Sequence, residues 1–110
     1  MAWRVCAEKT VSVAMRVPSM GYGLHGHDVT VRACLCYRAK EGHVDVEALA
    51  RSLLDLLTPV DHRALWEVVG GEGALEDLVS YVLAGLSPRP CYVSASVPGR
   101  YVEYVEGPNA

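Results

Sequence analysis

His25 and His27 stand two residues apart at the head of an alternating segment, Val29-Thr30-Val31-Arg32-Ala33, just behind the run Gly21-Tyr22-Gly23-Leu24. Successive side chains of an extended chain point to opposite faces, so both imidazoles fall on one face of a sheet. That spacing suits two ligands of one zinc ion, and it equally suits a hydrogen-bonded histidine pair at a strand start. Structural zinc takes four ligands and catalytic zinc three protein ligands, so the metal reading calls for a donor from elsewhere in the chain. Both histidines share the phase of Val29, Val31, Ala33 and Leu35, the apolar face, rather than that of Asp28, Thr30 and Arg32. Imidazoles on the side that packs must find partners, which favours a site over solvated surface.

Asp61-His62 is the second candidate. A carboxylate that orients an imidazole raises its basicity and makes a proton-transfer pair. Neighbours in sequence achieve this only where the backbone bends; otherwise such a pair reads as a helix-end cap and a surface histidine. His43 falls in a turn and has no assigned role. Cys34 and Cys36 share a strand face, while Cys6 and Cys91 lie far away in sequence. Neither a CxxC redox pair nor a second zinc-type pair is present. The four cysteines therefore read as free thiols, which points to a reducing, cytoplasmic setting.

The elements that must position these groups follow from periodicity. Residues 3 to 17 alternate strictly, with Val5, Ala7, Val11, Val13, Met15 and Val17 opposite Arg4, Cys6, Glu8, Thr10, Ser12 and Arg16. That is the pattern of a half-buried antiparallel strand. Pro18 to Gly21 breaks it, and alternation resumes from His25 to Tyr37. Arg38 to Gly42 reads as a turn. The period then becomes 3.6, with a stripe of Val46, Leu49, Ala50, Leu53 and Leu57 behind Asp45 as N-cap, ended by Thr58-Pro59. A connecting segment carries Asp61-His62 and Leu65-Trp66. After Gly70-Gly71 a second helix shows the stripe Leu75, Leu78, Val79, Val82 and Leu86, with Glu72, Glu76 and Asp77 in its first turns. Cys91 to Val97 and Arg100 to Val105 read as two further strands, and the tail from Gly107 as frayed. The order ββααββ predicts an α+β fold: a four-stranded antiparallel sheet with both helices on one face.

At 110 residues the chain has the length of a single domain, spanning 1–110. A formal net charge of -3 gives no basic excess for nucleic acid. No uninterrupted apolar run reaches bilayer-spanning length, so no membrane partner is expected, and the first residues lack the apolar core of a signal peptide.

In this order and spacing, the segments resemble the 6-pyruvoyl-tetrahydropterin synthase family, which includes the 6-carboxytetrahydropterin synthases. Val11-Ser12-Val13-Ala14-Met15-Arg16-Val17 is similar to that family's first strand, Phe-Ser-Ala-Ala-His-Arg-Leu. His25-Gly26-His27-Asp28 resembles its His-Gly-His-Asn element. Gly42-His43-Val44-Asp45-Val46-Glu47-Ala48-Leu49 resembles Gly-Met-Val-x-Asp-Phe-x-x-Leu, one residue shorter. Asp61-His62-Arg63-Ala64-Leu65 is similar to Asp-His-x-x-Leu, and Glu76 falls where the second helix of the family has Pro-Thr-x-Glu.

The resemblance implies a tunnelling fold, in which edge strands of neighbouring subunits pair into a barrel, hence a homo-oligomer. It implies zinc on His25 and His27, acid–base work by Asp61 and His62, and a pterin-type small molecule contacted by Glu76 at subunit interfaces. It also exposes departures. The family's first zinc histidine corresponds to Met15, its catalytic cysteine to Gly21, its Pro-Thr to Gly73-Ala74, and its anchoring glutamate to Val97. Two expectations follow. One is a diverged zinc-dependent lyase acting on a pterin triphosphate, with an unidentified third ligand. The other is a non-catalytic oligomeric relative that binds a pterin- or purine-like molecule or serves as a scaffold.

Overall fold

Strict alternation extends over two long strands, β1 (Ala2–Val17) and β2 (Tyr22–Arg38), joined by a single 3-10 turn at Pro18–Met20. They pair antiparallel over nearly their whole length, and the register sets Met15 opposite His25, Val13 opposite His27 and Cys6 opposite Cys34. Gly21 closes the turn with φ 78°, a left-handed conformation that glycine adopts without steric cost. The computed structural model describes residues 2–38 and 42–106. Most of the expected turn after Arg38, and the tail from Gly107, lie outside the described residues.

Helix α1 (Val46–Leu57) begins where Asp45 accepts a hydrogen bond from the Ala48 amide at 3.0 Å, so the expected N-cap is in place. Its buried stripe is Leu49, Leu53 and Leu57; Val46 and Ala50 face outward. The segment after α1 is more than a connector. It forms a short strand β3 (Arg63–Ala64) and then a helix of little more than one turn, α2 (Leu65–Val69). Helix α3 (Leu75–Gly85) follows, then β4 (Tyr92–Val97) and β5 (Arg100–Val105).

The fold is α+β, as expected, but among the described residues the sheet has five strands in the order β3-β1-β2-β4-β5 and there are three α-helices. The expected four-stranded, wholly antiparallel sheet with two helices is thus corrected, because β3 adds to β1 in parallel at Val13–Arg63 and Ala14–Ala64. A two-residue bridge has no alternation of its own to announce it. One sheet face packs on α1 and α3. Val11, Val29, Val31, Val93 and Ala95 meet Leu53, Leu57, Leu78 and Val82 there, all almost wholly buried. Burying each large aliphatic side chain contributes about 1.5–3 kcal/mol, so this layer holds the helices to the sheet. Tyr81 adds a tie from α3 to α1, its hydroxyl donating to the Leu56 carbonyl at 2.9 Å.

The other sheet face is polar and carries the cysteines. All four are paired, Cys6 with Cys34 and Cys36 with Cys91, which overturns the free-thiol expectation. The cause is register. Cys6 and Cys34 lie directly across the β1–β2 ladder with Cα atoms 4.1 Å apart, and Cys91 enters β4 with its Cα 5.9 Å from that of Cys36. Sequence spacing does not report cross-strand neighbours, and the thiol argument for a reducing compartment loses its basis.

The bonds enclose chain separations of 28 and 55 residues. For loops of this size the chain-entropy model gives about 4 kcal/mol of stabilisation each. Alkylation of the denatured, unreduced protein is expected to add no mass, whereas alkylation after reduction adds four groups. The reduced protein is expected to unfold at markedly lower denaturant concentration. Alkylation without reduction would refute the pairing.

Candidate functional site

Where β1 ends and β2 begins, a cavity of about 500 Å³ opens between the hairpin, the start of α3, the end of β4 and the start of β5. Met15, His25 and His27 form its wall on the hairpin side. Met15 is 5% exposed, so it is both a core residue and a cavity residue. The ladder register shifts between Met15 and Val17, a bulge of the kind that re-aims side chains beside sites.

The two imidazoles meet edge to face, with ring centroids 4.8 Å apart and planes at 84°. His25 Nδ1 lies 2.6 Å from the Gly23 carbonyl oxygen. A carbonyl only accepts, so Nδ1 carries the proton and Nε2 of the neutral ring keeps its lone pair. Among the described residues the His27 ring has no hydrogen-bond partner.

The start of α3 supplies Ala74, Leu75 and Glu76 to the same cavity. It is held by Asp77, which reaches back to accept from the Ala74 amide at 3.0 Å, and by Gly73 at φ 76°. A Cβ on Gly73 would stand 2.6 Å from the Trp66 amide nitrogen, so only glycine lets α2 and α3 approach this closely. Glu72 belongs to this loop rather than to the helix. It accepts from the Ser19 amide and hydroxyl at 3.2 and 2.6 Å, tying the hairpin turn to the α3 entrance. Arg16 stacks over the Trp66 ring at 4.1 Å and adds a second tie. Among the described residues Glu76 is the only carboxylate lining the cavity, and Arg100 the only guanidinium.

Asp61 and His62 sit elsewhere, on the outer edge of β1. The Ser12 amide donates to Asp61 Oδ1 at 2.8 Å, and the His62 amide donates to the Ser12 carbonyl at 2.7 Å. His62 has φ 61°, the bend that neighbouring residues need in order to face each other. Asp61 Oδ2 accordingly lies 3.1 Å from His62 Nδ1. The Ser12 amide, and after it the imidazole, hold the Asp61 carboxyl below its ordinary value. The His62 side chain is 81% exposed and does not line this cavity.

The structure therefore brings His25, His27 and Glu76 to one cavity and keeps Asp61-His62 apart from it. Nor do the donors present make a zinc set. Among the described residues no three His, Cys, Asp or Glu side chains converge closely enough to hold a metal ion. Beside the imidazoles stands the thioether of Met15, a soft ligand ill matched to zinc. Sequence reasoning missed Met20, Arg100 and Tyr101 as lining residues. Arg100 left a signal, since a charge sits there in phase with the packed Val102 and Tyr104 of β5.

No family model matches the chain, and no curated protein matches it significantly. Among solved structures it is similar to 6-pyruvoyl tetrahydropterin synthase of Caenorhabditis elegans, with a TM-score of 0.77, 17% identity and 96% of each chain covered. The fold is that of the pterin synthase. At that identity the likeness is one of architecture, and it agrees with the tunnelling fold implied by the residue motifs.

The lowered Asp61 carboxyl has a pH consequence. Between its folded-state pKa and the ordinary 3.8, the unfolded chain binds more protons, so stability rises with pH there. Asp61→Asn removes that contribution. Thermal unfolding is expected to show the variant less stable than wild type above pH 4, with the gap closing as pH falls through the folded-state pKa. A gap constant with pH would show that the charge is not engaged.

Proposed function

We propose that this chain is a pterin-synthase-like protein whose cavity binds a small bicyclic heteroaromatic molecule of pterin or purine type, in a homo-oligomer. One observation carries the reading: among the described residues a single carboxylate, Glu76, and a single guanidinium, Arg100, line an otherwise mainly apolar and aromatic cavity of about 500 Å³. Cavities of that size and composition suit small ligands. A pterin offers donor N–H groups along one edge for the carboxylate and acceptor atoms elsewhere for the guanidinium. With Val97 where the resemblance expects the anchoring glutamate, Glu76 takes that role.

Lyase chemistry confined to one chain is the less supported reading. Gly21 supplies no nucleophile, and the Asp61–His62 pair lines no part of the cavity. Asp61-His62 is nevertheless an organised pair, bent into contact at an exposed sheet edge. That observation favours a second reading, a lyase completed when the β1 edge of one copy meets the cavity of another. Outside Val13 and Ala14 that edge of β1 has no strand partner among the described residues, and β5 leaves the opposite edge open. Paired edges would close both and would supply the oligomer.

Binding of neopterin, followed by its fluorescence, tests the first reading. Glu76→Gln is expected to weaken it at least tenfold, as suits loss of a charge-assisted hydrogen bond. Unchanged affinity, or none in the wild type, would overturn the assignment. Turnover of dihydroneopterin triphosphate that disappears in His62→Ala would instead establish the second.

A further inference from the structure

The mismatch between zinc and the donors beside the cavity has its own chemical meaning. Two imidazoles and a thioether are a softer set than three imidazoles, and thioethers select copper(I) among the common biological metals. The three donors belong to adjacent strands in fixed register: Met15 lies directly across the ladder from His25, and His27 is two residues along on the same face. Side chains directly opposite in such a pair have Cβ atoms about 5 Å apart, within bonding reach of a shared ion.

The imidazole geometry agrees. The two rings stand close enough to share one ion, their centroids 4.8 Å apart. His25 is already oriented, since its Nδ1–H is spent on the Gly23 carbonyl and its Nε2 is left with a lone pair. Metal-ligating histidines are fixed by this same outer hydrogen bond. A second thioether, that of Met20, lines the cavity as well. The thiols that would otherwise compete for a soft ion are locked in two disulfides.

We infer that Met15, His25 and His27 form a binding site for a soft monovalent cation, copper(I), rather than for zinc. The inference does not depend on the pterin-type reading, which rests on Glu76 and Arg100 from α3 and β5. Metal binding measured without any organic ligand, and neopterin binding measured without metal, fail or succeed separately.

The test is competition for copper(I) against bathocuproine disulfonate under ascorbate, on protein whose disulfides are checked by alkylation afterwards. One copper(I) per chain is expected. Met15→Leu, His25→Ala and His27→Ala should each weaken it at least tenfold, while Met20→Leu weakens it less. Zinc, measured against a chromophoric chelator, should bind at least a hundredfold more weakly than copper(I), and Met15→His should reverse that preference. Because Met15 is a core position, X-ray absorption on copper-loaded selenomethionyl Met20→Leu protein supplies an independent readout, a selenium scatterer at bonding distance that Met20 cannot contribute. Absence of selenium from the copper shell, tighter binding of zinc than copper(I), or full affinity in Met15→Leu would overturn the assignment.

Discussion

Register between β1 and β2 is the constraint on which everything else hangs. Side chains alternate with a period of two, so a slip of one residue would send Val11, Val13 and Met15 to the polar face and Ser12 to the core. The same slip would part Met15 from His25 and Cys6 from Cys34. Several independent features hold the register: the buried valines on one face, the 2.7 Å contact from Arg32 Nε to Glu8 on the other, the Ser12–Asp28 hydrogen bond at 2.6 Å, and the Cys6–Cys34 bond. Ser12 has a further part. Its side chain bonds across to β2, while its backbone amide and carbonyl hold Asp61 and His62 on the other flank. One residue thus fixes the position of the Asp61–His62 pair relative to the strand that carries Met15.

The second organising feature is the junction between α2 and α3. Gly73 lets the chain pass against the Trp66 backbone, Asp77 closes the helix start, and Glu72 reaches Ser19 in the hairpin turn. These contacts set the distance between Glu76 and the hairpin, and so the width of the cavity. Its apolar walls are the margins of the same core that holds the helices. Cavity wall and packing surface are therefore continuous, and Met15 belongs to both.

Much of this was legible in the sequence, and the parts that were not share a cause. Alternation marked β1, β2, β4 and β5, and the 3.6 period marked α1 and α3, because each buries a full stripe. The two-residue β3 and the short α2 bury too little to leave a stripe, so the fifth strand and third helix went unread. His25 and His27 were found because imidazoles in an apolar phase are conspicuous. Asp61-His62 was found as a pair, but its separation from the cavity depends on how β3 docks, which no local pattern records. The disulfides escaped for a related reason: Cys6 and Cys34 are neighbours across a ladder and strangers in sequence.

The hairpin also has a mechanical character. β4 runs beside β2 only from Thr30 to Cys34, so nearer the turn the hairpin is braced instead by β3 beside Val13 and Ala14, by Glu72 at Ser19 and by Trp66 under Arg16. Both disulfides lie toward the opposite end, where they rivet β1, β2 and the entrance to β4 together. The hairpin is thus fastened at both ends, covalently at one and by reversible contacts at the other. Met15, His25 and His27 all belong to it, whereas Glu76 and Arg100 do not, so loss of the reversible contacts would alter the separation of the two groups and not the spacing within the first. A molecule bridging hairpin and helix would reinforce that reversible fastening, whereas a cation held by the hairpin alone would leave it unchanged.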